Sequence, residues 1–212
     1  MHSADRVKTS RLTRARYDRA ARTYDLMEWW AERTIRKWRR MLWARAGEGR
    51  VLEVGVGTGK NLPYRPADAD YVGVDLSASM LSYARRRAVN TNKDASLAVM
   101  DVQTLAFADS SFDTVVATFV FCSVPDPVSG LREVGRVCKR DGLILLLEHV
   151  RSENPVLGRL MDMLNPLVVR ITGANINRDT VENVRKAGLE VVSVEDVGMH
   201  GIVKLITAKA RP

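Results

Sequence analysis

The sequence predicts a doubly wound α/β fold, with seven strands in one sheet and a helical segment ahead of it. Three observations predict this. From Gly49 onward, short β-branched runs alternate with helix-like segments, the pattern of a largely parallel sheet. A glycine-rich turn follows the first of those runs, and carboxylates close the next two. The last two runs, Leu189–Val197 and Ile202–Ala210, are joined by the tight connection Gly198-Met199-His200-Gly201, so they form a terminal antiparallel pair.

The elements follow in order. Arg50–Gly55 is a β-branched run ending at glycine, and Tyr71–Asp75 is a second strand. Ser77–Asn90 reads as a helix, with Ser77 as its N-cap. Leu97–Asp101 and Phe112–Cys122 are the third and fourth strands, and Pro127–Cys138 is an amphipathic helix. Leu143–Val150 is apolar on both faces, as a central parallel strand is. Asn154–Thr172 is a long apolar segment with Leu157, Leu160, Met161, Leu164, Leu167 and Val168 at helical spacing. Asp179–Ala187 is a further helix, stopped by Gly188.

Composition narrows the classes. The 212 residues are 46% hydrophobic and 27% charged, ordinary for one globular domain with a short extension. The division falls near residue 46, with a basic amphipathic extension over 1–46 and the α/β domain over 47–212. No apolar run is long enough to span a bilayer, and the opening residues lack the apolar core of a secretion signal. The expected location is therefore cytoplasmic. Cys122 and Cys138 read as reduced core thiols. The three histidines and two cysteines have no ligand spacing, so no metal is expected. The net charge is +8, and the first fifty residues hold all of it: fourteen Lys and Arg against six acids. Such a segment implies an anionic partner, a membrane surface or a nucleic acid.

The sharpest motif is Val51-Leu52-Glu53-Val54-Gly55-Val56-Gly57-Thr58-Gly59. It spells G-x-G-x-G, without the G-x-G-x-x-G spacing of a pyrophosphate loop. Asp75 closes the next strand, where a carboxylate can accept both hydroxyls of a ribose. Asp101, followed by Val102, closes the third, where a carboxylate and apolar neighbours suit an adenine.

These residues resemble the class I S-adenosylmethionine (SAM)-dependent methyltransferases, over roughly Arg50 to Ala210. The resemblance implies a Rossmann-like fold, with SAM as cofactor and S-adenosylhomocysteine as product. Carried over by position, Glu53, Gly55, Gly57, Asp75, Leu76, Asp101 and Val102 would contact the cofactor, with Thr118 and Phe119 near its methionine moiety.

The acceptor is read from two places. The fourth strand ends in Ala117-Thr118-Phe119-Val120-Phe121-Cys122-Ser123-Val124-Pro125, not the Asn/Asp-Pro-Pro-aromatic run of base-amine methyltransferases. A nucleic-acid partner is therefore not expected. Tyr17-Asp18-Arg19-Ala20-Ala21-Arg22-Thr23-Tyr24-Asp25 resembles the Tyr-x-x-x-Ala-x-x-Tyr-Asp helix of quinone C-methyltransferases and bacterial phospholipid N-methyltransferases, where it covers the cofactor pocket. Leu131–Val137 and Glu148-His149-Val150 fit the phospholipid and small-thiol branches. Lys139-Arg140-Asp141-Gly142 stands where Pro-Gly-Gly is more usual, a departure expected to affect only a turn.

All four tryptophans lie between residues 29 and 43. On a helical wheel of Leu26–Trp43, Leu26, Met27, Trp30, Ala31, Ile35, Trp38, Met41 and Leu42 share one half, where Lys37 intrudes, while Glu28, Glu32, Arg33, Arg36, Arg39 and Arg40 share the other with Trp29 and Trp43. Trp and Arg on one amphipathic helix read as an interfacial membrane helix. The expectation is N-methylation of phosphatidylethanolamine towards phosphatidylcholine by a monomer held peripherally on an anionic membrane, with Tyr24, Tyr17 or His149 accepting the proton. C-methylation of a membrane quinone precursor and S-methylation of a small thiol are the enzymatic alternatives. An RNA-binding methyltransferase or a non-catalytic membrane adaptor would be another class.

Overall fold

The structure is a computed structural model and describes residues 3–27, 29–91, 95–199 and 201–210. The strands are β1 (Arg50–Val54), β2 (Asp70–Asp75), β3 (Ser96–Val99), β4 (Phe112–Thr118), β5 (Cys138–His149), β6 (Glu190–Gly198) and β7 (Val203–Lys209). They form one seven-stranded sheet in the order β3-β2-β1-β4-β5-β7-β6. β1 to β5 run parallel, and β7 lies antiparallel between β5 and β6. The chain leaves β1 towards β2 and returns to β4 on the other side, so a crevice opens at the carboxyl ends of β1 and β4. The α/β expectation and the terminal antiparallel pair hold, although His200 in their connection lies outside the described residues.

Alternation along β5 sorts its side chains onto two faces. Ile144 and Leu146 join Leu131, Val134 and Val184 under helices α5 (Pro127–Val137) and α7 (Thr180–Lys186). Leu145 and Leu147 join Trp38, Leu42 and Trp43 of α3 (Trp29–Trp43) on the other face. Helix α4 (Ala78–Asn90) packs on β2 and β3 and carries Ser77 as its N-cap, the hydroxyl accepting from Met80 N at 3.1 Å.

Three boundaries depart from expectation. β3 stops at Val99, leaving Asp101 in the following loop. β4 stops at Thr118 and not Cys122, because Phe119 takes a left-handed φ of +55° and the next two amides turn to a side chain. β5 begins at Cys138, whose extended backbone pairs with Phe112 before a register shift, so the segment over 139–142 joins the strand. Both cysteines are free and buried, and burial raises both thiols, Cys138 to about 11.

The extension is two long helices joined by a short one. α1 (Ser3–Ala20) lies across α4, and α2 (Tyr24–Met27) leads to α3. Glu28, inside the predicted single helix, lies outside the described residues, as does the Met27 side chain. The wheel over Leu26–Trp43 needs correction. Trp38, Leu42 and Trp43 are core residues, and the Trp43 ring packs tilted against Tyr71, their centroids 6.3 Å apart. Arg39, placed on the polar half, is buried. It donates to Asn61 Oδ1 at 2.7 Å and sits 3.4 Å from Glu32. Leu26, Trp29 and Trp30 stay outside. The seam follows the domain surface, which a wheel drawn from hydropathy does not contain. Helix α6 (Pro155–Thr172) runs unbroken through Pro166 from an Asn154 cap to Gly173. Among the described residues, no helix is long and apolar enough to cross a membrane.

Candidate active site

A cavity of about 720 Å³, including its open mouth, lies at the crevice between β1 and β4. Gly55, Gly57, Asp75, Leu76, Asp101, Val102, Thr118 and Phe119 all line it, as do Tyr17 and Tyr24. Ten of the twelve residues singled out in the sequence thus converge on one wall.

The glycine loop is shaped by steric need. Gly55 has φ +69°, and a Cβ there would meet Val120 Cγ2 at 2.4 Å. Gly57 has φ +58°, and a Cβ there would meet nothing within 4 Å. That open space faces a lined cavity, so the loop leaves a cradle for a ligand. The Gly57 amide donates to Asp75 Oδ2, and the Ser77 amide to Oδ1, each at 2.8 Å. Burial raises the Asp75 carboxyl, while these two amides act against the rise. Each oxygen keeps a lone pair for a ligand hydroxyl.

Asp101 is aimed by a residue the sequence did not single out. Gln103 Nε2 donates to both Asp101 oxygens and to Ser10 Oγ of α1, while Gln103 Oε1 accepts the Asp126 amide at 3.1 Å. One buried amide therefore ties the Asp101 carboxylate of the cavity wall to the covering helix and to the loop before α5. The signal was its place two residues beyond Asp101, with a spare polar side chain in an apolar stretch.

Glu53 is absent from the cavity wall. It is buried beneath the loop, accepting from Tyr71 Oη at 2.6 Å and Asn61 Nδ2 at 2.8 Å. Asn61 Nδ2 also donates to Thr118 Oγ1 at 3.0 Å. Through Asn61 and Thr118, Glu53 is linked to the cavity wall. Burial raises its carboxyl to about 7. His149 is absent as well. It shares the sheet face of Leu145 and Leu147, towards α3, and burial lowers its pKa.

The preceding residue, Glu148, holds the cavity wall. Its Oε1 accepts the amides of Val120 at 2.8 Å and Phe121 at 3.1 Å, just after the left-handed Phe119. Burial raises its carboxyl to about 7. Both glutamates were legible as acids in apolar strands, but their partners come from segments far away in sequence.

The covering helices are pinned by the acids of the Tyr-Asp pairs. Ser77 Oγ donates to Asp18 at 2.5 Å, so α1 caps α4 from outside. Asp25 accepts from Thr58 Oγ1 and from Arg87, each at 2.7 Å. The tyrosines are left facing the cavity, and Thr13 joins them one helical turn before Tyr17. Among the described residues, no three His, Cys, Asp or Glu side chains group as metal ligands.

The family profile described as a methyltransferase domain matches residues 52–146, the glycine loop through β5. Residues 52–146 carry a methyltransferase domain of the class I SAM-dependent kind. SAM is the cofactor of this methyltransferase domain. Its neighbours differ in acceptor. A phosphatidylethanolamine N-methyltransferase of Cereibacter sphaeroides is 40% identical over 51% of this chain and 55% of its own. A demethylmenaquinone methyltransferase of Renibacterium salmoninarum is 33% identical over 68% of this chain and 60% of its own. The chain thus spans little more than half the length of these relatives. A SAM-dependent methyltransferase of Thermotoga maritima, titled a possible histamine N-methyltransferase, superposes with a TM-score of 0.71 at 22% identity, over 94% of this chain and all of its own.

Proposed function

We propose that this methyltransferase domain methylates the amine of a phosphatidylethanolamine headgroup, towards phosphatidylcholine, at a membrane surface. The observation that carries the reading is the charge of the cavity wall. Three aromatic rings, Tyr17, Tyr24 and Phe119, line it, and among the described residues its charged side chains are Asp75 and Asp101. Aromatic rings beside two carboxylates suit an acceptor that gains positive charge with each methyl, and the Tyr24 ring already holds a cation in this way, Lys60 Nζ lying 5.5 Å from its centroid. Among the described residues that line it, no Lys or Arg is there to meet a phenolate-like quinone precursor. The 40% identical relative points the same way.

The chain's own residues fit the cofactor. Asp75 would take the ribose hydroxyls and Asp101 the adenine amine, between Leu76 and Val102, with Gly55 and Gly57 giving backbone access. Thr118 and Phe119 would flank the methionine end. When bound, SAM supplies an electrophilic methyl group. The acceptor nitrogen must be neutral, so it loses a proton, and Tyr17 and Tyr24 can accept its hydrogen bond directly or through water. α1 and α2 cover the site, which excludes water and holds the acceptor in line.

The N-terminal extension is proposed to contact an anionic membrane through Trp29, Trp30 and its arginines, the chain acting as a monomer peripheral to the inner face. Quinone C-methylation is the rival, favoured by the Renibacterium salmoninarum relative. Labelled SAM incubated separately with phosphatidylethanolamine vesicles, a quinone precursor, a small thiol and RNA tests the reading. Label in the phospholipid is expected. Label in another acceptor and none in the lipid would replace it.

A further inference from the structure

Helix α6 is apolar on two sides, and only one is used. Gly158 and Met161 are buried, facing the domain. On the other side, Val156, Leu160, Met163, Leu164, Leu167 and Ile171 are 41–76% exposed. At 3.6 residues per turn, these six fall within an arc of about 100°. No polar residue interrupts that arc. Arg159 and Arg170 lie along one edge of it, and neither has an ion-pair partner among the described residues. The one acid of the helix, Asp162, is turned away and holds Arg151 at 2.8 Å. Exposed stripes of this size and continuity mark interaction surfaces.

We propose that this face of α6 docks on the surface of an anionic lipid bilayer, lying in the interface plane with its six apolar side chains among the acyl chains. The charge pattern selects the occupant. An apolar stripe edged by unpaired arginines and free of acids matches an interfacial helix on acidic lipid. A second copy of the chain docked on the same face would bring Arg159 and Arg170 against their own counterparts, with no acid on the stripe to answer them.

The position of the helix fits the same role. Its C-cap, Gly173, lies beside Arg16 of α1, so that a Cβ there would meet the arginine side chain at 3.3 Å. The segment that follows, through Asn175 and Arg178, donates to the carbonyls of Cys122 and Val124 at the cavity rim. Docking α6 therefore sets the rim of the methyl-transfer cavity close to the lipid. It also reassigns the main apolar contact. The tryptophan helix spends Trp38 and Trp43 on its own core, and only its first turn is free to assist.

The inference rests on the proposed lipid acceptor only for the choice of headgroup, so the test uses vesicles without phosphatidylethanolamine. The full chain is co-sedimented with phosphatidylcholine vesicles containing phosphatidylglycerol, and with neutral phosphatidylcholine vesicles. Wild type should bind the acidic vesicles, and the variant L160Q/M163Q/L167Q should lose at least tenfold in partitioning. R159E/R170E, which leaves the stripe intact, should lose binding to acidic vesicles selectively. Calorimetric SAM affinity should be unchanged in both, since none of these side chains lines the cavity, and it reports that they fold. Unchanged vesicle binding in both variants overturns the proposal. So does a wild type that elutes as a dimer and becomes monomeric on stripe substitution with vesicle binding retained. Phosphatidylethanolamine in detergent micelles separates the two readings. Methylation there without bilayer binding defeats the docking face alone, whereas bilayer binding without methylation defeats the acceptor alone.

Discussion

Gln103 donates its side-chain amide to both carboxylate oxygens of Asp101, at 3.0 and 3.1 Å, while also donating to Ser10 of the covering helix. The carboxylate is thereby fixed before any ligand arrives. Gln103→Ala frees Asp101 and unties α1 at once. SAM affinity should fall about tenfold, the worth of roughly one to two lost hydrogen bonds. Titration calorimetry checks it, and wild-type affinity in the variant would show that Asp101 needs no such orientation.

Asp75 bridges the Gly57 and Ser77 amides and faces the cavity. Asp75→Ala should cost about 1–3 kcal/mol of SAM binding, because the ribose hydroxyls and the two amides lose their acceptor. Equal SAM affinity in calorimetry would remove Asp75 from the cofactor site.

The tyrosines and His149 separate cleanly. Tyr24→Phe should lower turnover about tenfold or more with SAM affinity little changed, if its hydroxyl handles the proton. His149→Ala should keep turnover within about twofold, because its ring lies off the cavity wall. Steady-state rates on the accepted substrate decide this, and the reverse order of effects would return the role to His149.

Glu148 supplies a pH test. Its folded pKa of about 7 stands above the ordinary 4.5, so the folded chain holds this proton more tightly than the unfolded one. Its stabilisation is complete below pH 4.5 and is lost as pH rises through 7. Glu148→Gln keeps an oxygen for Val120 and Phe121 but cannot titrate. Relative to wild type it should gain on the order of 3 kcal/mol between pH 4.5 and pH 8. Melting temperatures of the two proteins across that range measure the difference, and parallel curves would refute the raised pKa.

Gly198 of β6 lies against Trp38, and a Cβ there would meet the indole at 2.1 Å. Gly198→Ala should destabilise the fold by about 1–3 kcal/mol through overpacking. Denaturant unfolding reads this directly. An unchanged midpoint would mean that α3 is free to shift on the sheet.

The sequence by itself determined the sheet, the glycine loop and the two acids of the cavity wall. Those features are local: Asp75 and Asp101 follow their own strands, and the G-x-G-x-G spacing sets the turn they face. Tyr17 and Tyr24 were legible through the resemblance of Tyr17–Asp25 to the covering helix of quinone and phospholipid methyltransferases, and the fold sets them on α1 and α2 at the cavity. What only the tertiary structure decided are contacts between distant segments. Glu53 and His149 sit as near the site in sequence as Asp75 does, yet the two-residue alternation of β1 and β5 turns them into the layer beneath α3. Glu148 and Gln103 gain their roles from amides and hydroxyls far along the chain, which no spacing rule encodes. The two apolar helices divide for the same reason. Hydropathy marked both α3 and α6 as amphipathic, but which side meets the domain depends on the shape of the sheet each one covers. Trp43 thus went inside, and the stripe from Val156 to Ile171 stayed out.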